Sequence, residues 1–230
     1  MLTTENKRPV SQSQIVLDGT PLDIRLLSEL VRGRSEVALS DQPEVLGRIR
    51  QAEAVVARAV EQGEPVYGVT TGFGGMADEA VPPEMAADSQ CNLLSFLAAG
   101  AGTPIDARHV RGAMALRANV LLRGHSGVRY EIIERLAAFL RVGATPVVRE
   151  LGSIGASGDL VPLSTIARAI TGQSPYVRVE LGGEILEGPA ALSQLGFEPL
   201  ELQAKEGLAI VNGTSFSSAV AANCVAEARR

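Results

Sequence analysis

Apolar positions along the chain recur mostly at helical spacing. The clearest stretch is 43–62, where Val45, Ile49, Ala52, Val56 and Ala59 fall three or four residues apart. Asp41 stands just ahead of it as a cap and Gly63 just behind it as a stop. Similar patterns over about 83–98, 106–123 and 128–141 predict three helices that dominate the middle of the chain as a helical bundle. Residues 23–32 read as a shorter helix. After Asp159, the run with Leu160, Leu163, Ile166 and Ala167 is helical. A last apolar helix opens near 215 and still runs at Ala226 and Ala228, with no glycine or proline to stop it. Strand signals are few. Residues 14–18 read as a strand ending in the Asp18-Gly19 turn, and 176–187 alternates on both sides of Gly182-Gly183 as a hairpin. The polar start is a loose tail over 1–13, which leaves 14–230 as one mainly α domain.

Composition narrows the partners. Of 230 residues, 46% are hydrophobic and 20% charged, the balance of a globular chain. A net charge of −5 argues against nucleic acid or an anionic membrane surface as partner. Aromatics at 3% with no Trp argue against base-stacking platforms. Cys91 and Cys224 are too few for a disulfide scaffold and lack metal-ligand spacing, which suits a reducing, cytoplasmic compartment. The first residues have no secretory h-region, and no run reaches the roughly 18 apolar residues of a membrane span.

Three polar glycine turns interrupt the helices: 67–75, 152–158 and 212–214. Glycines often do no more than end helices and supply positive φ. Familiar site chemistries do not fit these turns. No phosphate loop of the Gly-x4-Gly-Lys type is present, and Gly72-Phe73-Gly74 has no surrounding βαβ unit. Ser157 is followed directly by Gly158, so the hydrolase elbow fails on spacing. His109 and His125 are the only histidines, too few for a metal centre and without a triad pattern.

What remains is chemistry of the backbone at Ala156-Ser157-Gly158. Attack of the Gly158 nitrogen on the Ala156 carbonyl carbon closes a five-membered ring. Loss of water from the ring, and of the Ser157 hydroxyl as a second water, leaves an exocyclic methylidene. Gly158 has no Cβ to hinder the approach, Ala156 is small, and Ser157 carries the leaving group. Asp159 stands next to them as a proton carrier or helix cap.

The whole segment 152–164, Gly-Ser-Ile-Gly-Ala-Ser-Gly-Asp-Leu-Val-Pro-Leu-Ser, resembles the signature of the aromatic amino acid ammonia-lyases and aminomutases. Tyr67-Gly-Val-Thr-Thr-Gly-Phe-Gly74 is similar to that family's mobile loop, and Asn212-Gly213-Thr214 to its asparagine turn. The three occur in the family's order, and the likeness runs from about residue 14 to the end, reading most like a bacterial phenylalanine ammonia-lyase. It implies the ring-bearing N-terminal domain of the L-aspartase-like helical superfamily, with a small hairpin, cut at the start of the central helix bundle. It also implies a self-derived cofactor, 4-methylidene-imidazol-5-one (MIO), from Ala156, Ser157 and Gly158, with no metal and no nucleotide. By the same resemblance Tyr67 is the base that takes the substrate β-proton and Asn212 hydrogen-bonds the ring. Phe96, Leu97 and Gly74 would meet the substrate. Histidine and tyrosine lyases resemble each other in placing a histidine at the Phe96-Leu97 position. An apolar pair leaves a phenol or imidazole unpaired, at about 1–3 kcal/mol, and so favours phenylalanine.

Family members are about twice as long. The part without a counterpart here carries most of the central helices, a second tyrosine and the arginine for the substrate carboxylate. The expectation is an exposed apolar helical face and a tetramer-type oligomer, with a complementary C-terminal half. A split enzyme, a truncated chain and a non-catalytic assembly subunit all stay open, as do lyase and aminomutase outcomes.

Overall fold

The computed structural model describes residues 13–152, 154–155 and 158–229. The tail assigned to 1–13 lies outside them except for Ser13, which opens the first strand. In chain order the elements are β1 (Ser13–Leu17), α1 (Ile24–Val31), β2 (Ser35–Leu39), α2 (Pro43–Glu61), α3 (Ala86–Phe96), β3 (Ala101–Pro104), α4 (Ala107–Leu121) and α5 (Tyr130–Val142). Then come β4 (Thr145–Pro146), β5 (Arg149–Leu151), β6 (Ile154–Gly155), β7 (Gly158–Asp159), α6 (Leu160–Thr171), β8 (Arg178–Leu181), β9 (Glu184–Glu187), α7 (Gly188–Gln194), α8 (Glu206–Val211) and α9 (Ser215–Ala228). The chain is mainly helical, as its periodicity implies.

Local chemistry sets the helix ends. The Asp23 carboxylate accepts from the Arg25 amide at 2.6 Å and caps α1, and Asp106 caps α4 the same way through Arg108 at 2.8 Å. Gly143 closes α5 in the left-handed conformation, φ +73°. At α2 the cap is Gln42 rather than Asp41, with no side-chain bond. Pro43 fills the first turn, where an amide would have no partner anyway.

The core is built on α4 and α5. Met114, Ala115, Ala118 and Leu121 of α4 meet Ile132, Ile133, Leu136 and Phe139 of α5, all essentially inaccessible to solvent. Leu163, Ile166 and Ile170 of α6 close the far side. Truncating Leu136 to Ala there costs about 2–5 kcal/mol. Helix α9 lies along α4 so closely that a Cβ on Gly112 would stand 2.9 Å from the Ala219 Cβ. The strands are peripheral. β1 and β2 run parallel in register Ile15 to Val37, and β8 and β9 form the expected hairpin, joined by β4. Both cysteines are free thiols.

The stretch Glu206–Ala228 is long and apolar enough, by length and composition, to cross a membrane, with a mean hydropathy of 1.3. This differs from the expectation drawn from apolar runs. In the fold it breaks at 212–214 into α8 and α9, and every residue of α8 is buried in the core. The outward side of α9 exposes Ser217, Ser218, Ala221, Cys224 and Val225.

Candidate active site

The Tyr67 loop holds its own shape. Thr70 Oγ1 accepts from the Val66 amide at 2.8 Å and donates to the Glu64 carbonyl. The Val81 amide donates to Thr70 O at 2.8 Å, and the Gly72 amide to Glu79 O at 3.0 Å. Gly68 is required at φ +64°, because a Cβ would stand 2.6 Å from the Phe73 ring and 2.7 Å from Leu208. Tyr67 is half exposed, 51%. Its hydroxyl accepts from the Gly74 amide at 3.0 Å, and its ring meets Phe73 edge-on, centroids 6.4 Å apart. Two residues picked out by sequence, Tyr67 and Gly74, are thus in direct contact.

The glycine motif and the asparagine turn also meet. In the β6–β7 pair Gly155 faces Gly158 and Ile154 faces Asp159. That pairing brings the flanks of positions 156–157 side by side. Ala156 and Ser157 themselves lie outside the described residues. Gly158 has φ +104°, and a Cβ on it would stand 3.7 Å from Gly213 O, 3.8 Å from Thr214 Cα and 3.9 Å from Ser217 Oγ. Asn212 follows α8, its amide donating to Leu208 O at 2.9 Å.

Helix α3 lies between these parts. Gln90, fully buried, donates through Nε2 to Gly68 O at 3.0 Å and accepts through Oε1 from the Leu208 amide at 2.9 Å. Ser164 Oγ of α6 donates to Leu94 O at 2.9 Å. The substrate-wall candidates divide. Phe96 is 79% exposed at the end of α3, while Leu97 packs partly buried against the core.

A cleft of about 290 Å3 opens beside the turn, lined by Arg117, His125, Lys205, Asn212, Gly213 and Thr214 among others. Lys205 is the one non-glycine with positive φ among the described residues, at +73°. Burial pushes its ammonium pKa down. Next to it the buried Glu206 carboxylate accepts two bonds from the Arg129 side chain, at 2.8 and 2.6 Å, and one from the Gln203 amide at 2.8 Å. A larger cavity of about 740 Å3 lies elsewhere, between β2 and the end of α5, and touches none of the candidate residues. Among the described residues no group of three metal-ligating side chains forms.

A sequence model of the family described as "Aromatic amino acid lyase" matches residues 22–230. The chain belongs to the aromatic amino acid lyase family. It is 46% identical to a phenylalanine ammonia-lyase of Nostoc punctiforme, over 95% of this chain and 38% of that protein. It is 45% identical to a histidine ammonia-lyase of Gloeobacter violaceus, over 94% of this chain and 41% of that one. Among solved structures, the ergothioneine-degrading ergothionase of Treponema denticola superposes with a TM-score of 0.86 at 29% identity, covering 94% of this chain and 42% of that one. A phenylalanine aminomutase of Pantoea agglomerans superposes at 0.84 and 31% identity, covering 94% and 40%. The chain therefore spans about two-fifths of the length of these relatives.

The residues present fit a ring closed from 156–158. The 155/158 pairing draws the two flanks together, and Gly158 holds a φ that other residues rarely adopt. The side facing the Asn212 turn is free of any side chain of its own. Sequence reasoning missed Gln90 and Arg117. Each is a single polar residue on a helix, and only partners distant in sequence distinguish it from a solvated one.

Proposed function

We propose that this chain forms the electrophile-bearing part of an ammonia-lyase that converts L-phenylalanine to trans-cinnamate and ammonia. The observation that carries the reading is the approach of Gly158 to the Gly213-Thr214 backbone, close enough that a Cβ on Gly158 would meet it at 3.7 Å. It brings Gly158, the last residue of the proposed ring-forming tripeptide, beside the asparagine turn. When formed, the ring supplies an electron-poor double bond that turns the substrate amine into a leaving group.

The chain's own residues then have separable tasks. Tyr67 stands in the open, its oxygen held by the Gly74 amide, where its phenolate form would take the proton from the substrate β-carbon and become the phenol. Asn212 follows α8, whose last turn its amide closes onto Leu208 O, and its carboxamide would hydrogen-bond the ring. Gln90 fixes the spacing between the Tyr67 loop and α8. Phe96, open at the end of α3, would give the substrate ring an apolar face with no partner for a phenol or imidazole, which favours phenylalanine, while Leu97 packs inward against the core. The assembly would be a cytoplasmic, tetramer-type oligomer in which a complementary C-terminal half completes the pocket.

Likeness to a phenylalanine aminomutase supports a second outcome at the same site, β-phenylalanine. The test is product analysis on the purified assembly with L-phenylalanine, L-tyrosine and L-histidine. Cinnamate and ammonia from phenylalanine support the lyase reading. β-Phenylalanine selects the aminomutase, and turnover of histidine alone overturns the substrate assignment.

A further inference from the structure

Arg117 of α4 is only 4% exposed, yet none of the ion pairs among the described residues includes it. Its Nη2 donates to Ala209 O at 2.8 Å and also to Asn212 O. Both acceptors are carbonyls at the C-terminal end of α8, the end that attracts cations. The guanidinium also lies against Gly213 so closely that any Cβ there would run into it. Burial lowers the Arg117 pKa to about 10, so the group stays charged at neutral pH.

Burying a guanidinium against carbonyls alone is costly, and an apolar residue of similar volume would often serve stability as well or better. The geometry shows what the cation holds instead. It grips the last turn of α8 and the Asn212 carbonyl, one residue before the Gly213-Thr214 backbone that a Cβ on Gly158 would meet at 3.7 and 3.8 Å. We infer that Arg117 is a positioning residue, which seats the Asn212-Gly213-Thr214 turn against Gly158 and so aims the Asn212 side chain at the ring-forming tripeptide. The inference rests on the function proposed above. It adds a residue that touches neither substrate nor ring and acts through Asn212.

Both carbonyls are bonded by the two in-plane N–H groups of Nη2, whose directions the planar guanidinium fixes, whereas an ammonium's donors rotate freely and a thioether donates nothing. The test uses the active assembly with Arg117→Lys, Arg117→Met, Asn212→Ala and the Arg117→Met/Asn212→Ala pair. Ring content is read by peptide mass, and kcat is expressed per ring-bearing site. Arg117→Lys should lower kcat about tenfold and Arg117→Met about a hundredfold, with KM changed less than about threefold. In the Asn212→Ala background, Arg117→Met should change kcat less than about threefold, since the two act as one unit. A merely structural arginine would cost the same factor in both backgrounds, and that result overturns the inference. Wild-type kcat in a folded Arg117→Met protein overturns it too. If Arg117→Met does not fold, Arg117→Lys decides, with undiminished kcat as the contradicting result. A wild-type assembly with neither ring nor turnover overturns the functional reading itself, and this inference with it.

Discussion

The carboxamide of Gln90 accepts a hydrogen bond from the Leu208 amide at 2.9 Å while it donates to Gly68 O at 3.0 Å. One buried side chain therefore ties the loop of Tyr67 to the helix that ends at Asn212. The two motifs are 145 residues apart in numbering from Tyr67 to Asn212.

Replacing Gln90 by Leu keeps the volume and removes both bonds. The Leu208 amide and Gly68 carbonyl are then left buried and unsatisfied, at about 1–3 kcal/mol each. Thermal unfolding should drop by several degrees, and hydrogen exchange should speed up over 64–81. An unchanged exchange pattern in the loop would remove Gln90 from this linking role.

Tyr67→Phe separates chemistry from structure. The ring is half exposed and its hydroxyl accepts one backbone bond, so stability should change by no more than about 0.5 kcal/mol. Ring formation at 156–158 should be intact. Turnover should fall by about 10²-fold or more if the Tyr67 phenolate takes the β-proton. Steady-state kinetics beside a mass measurement checks both halves.

Gly68→Ala adds a Cβ into space already taken by Phe73 and Leu208, at a positive φ. The expected cost is about 1–3 kcal/mol, taken up by the loop rather than the core. Limited proteolysis should cut the variant within 64–81 first.

Phe96→His tests the substrate wall. A histidine offers a partner to a phenol, so kcat/KM should fall for phenylalanine and rise for tyrosine. A swing of about tenfold or more in the ratio is expected. An unchanged ratio would show that this exposed ring does not meet substrate.

Acid stability has a local contributor at Asp106. Its hydrogen bonds to Arg108 hold the carboxyl pKa down to about 2 from the usual 3.8. A depressed folded pKa means the contribution is complete above about 4 and is lost as pH falls from there toward 2. The pair is partly exposed, so screening limits it to about 1 kcal/mol or less. The urea-unfolding stabilities of wild type and Asp106→Asn should converge as pH approaches 2, separate between 2 and 4, and keep a constant gap above 4.

Much of this architecture is legible in the chain because its determinants are local. Helix α2 follows from its apolar spacing with Gly63 behind it, the hairpin from Gly182-Gly183, and the break before α9 from Asn212-Gly213-Thr214. Strand β2 is different. Five residues with Glu36 among them acquire strand character only by parallel pairing with β1, across α1. Helix α8 has six residues, too few to show a period, and is held by Gln90 and Arg117 from other helices. The site divides the same way. Tyr67, Gly158 and Asn212 sit in motifs, whereas the side chains that position them are ordinary polar residues whose burial is decided by the tertiary fold. Phe96 and Leu97 look like a pair in sequence, but one faces outward and the other packs inward.

The most direct test of the account is the mass of the peptide spanning 152–164 from the purified, active assembly. The account predicts a deficit of two waters, localised by fragmentation to Ala156-Ser157-Gly158. An intact, unmodified peptide in a preparation that turns over substrate contradicts it.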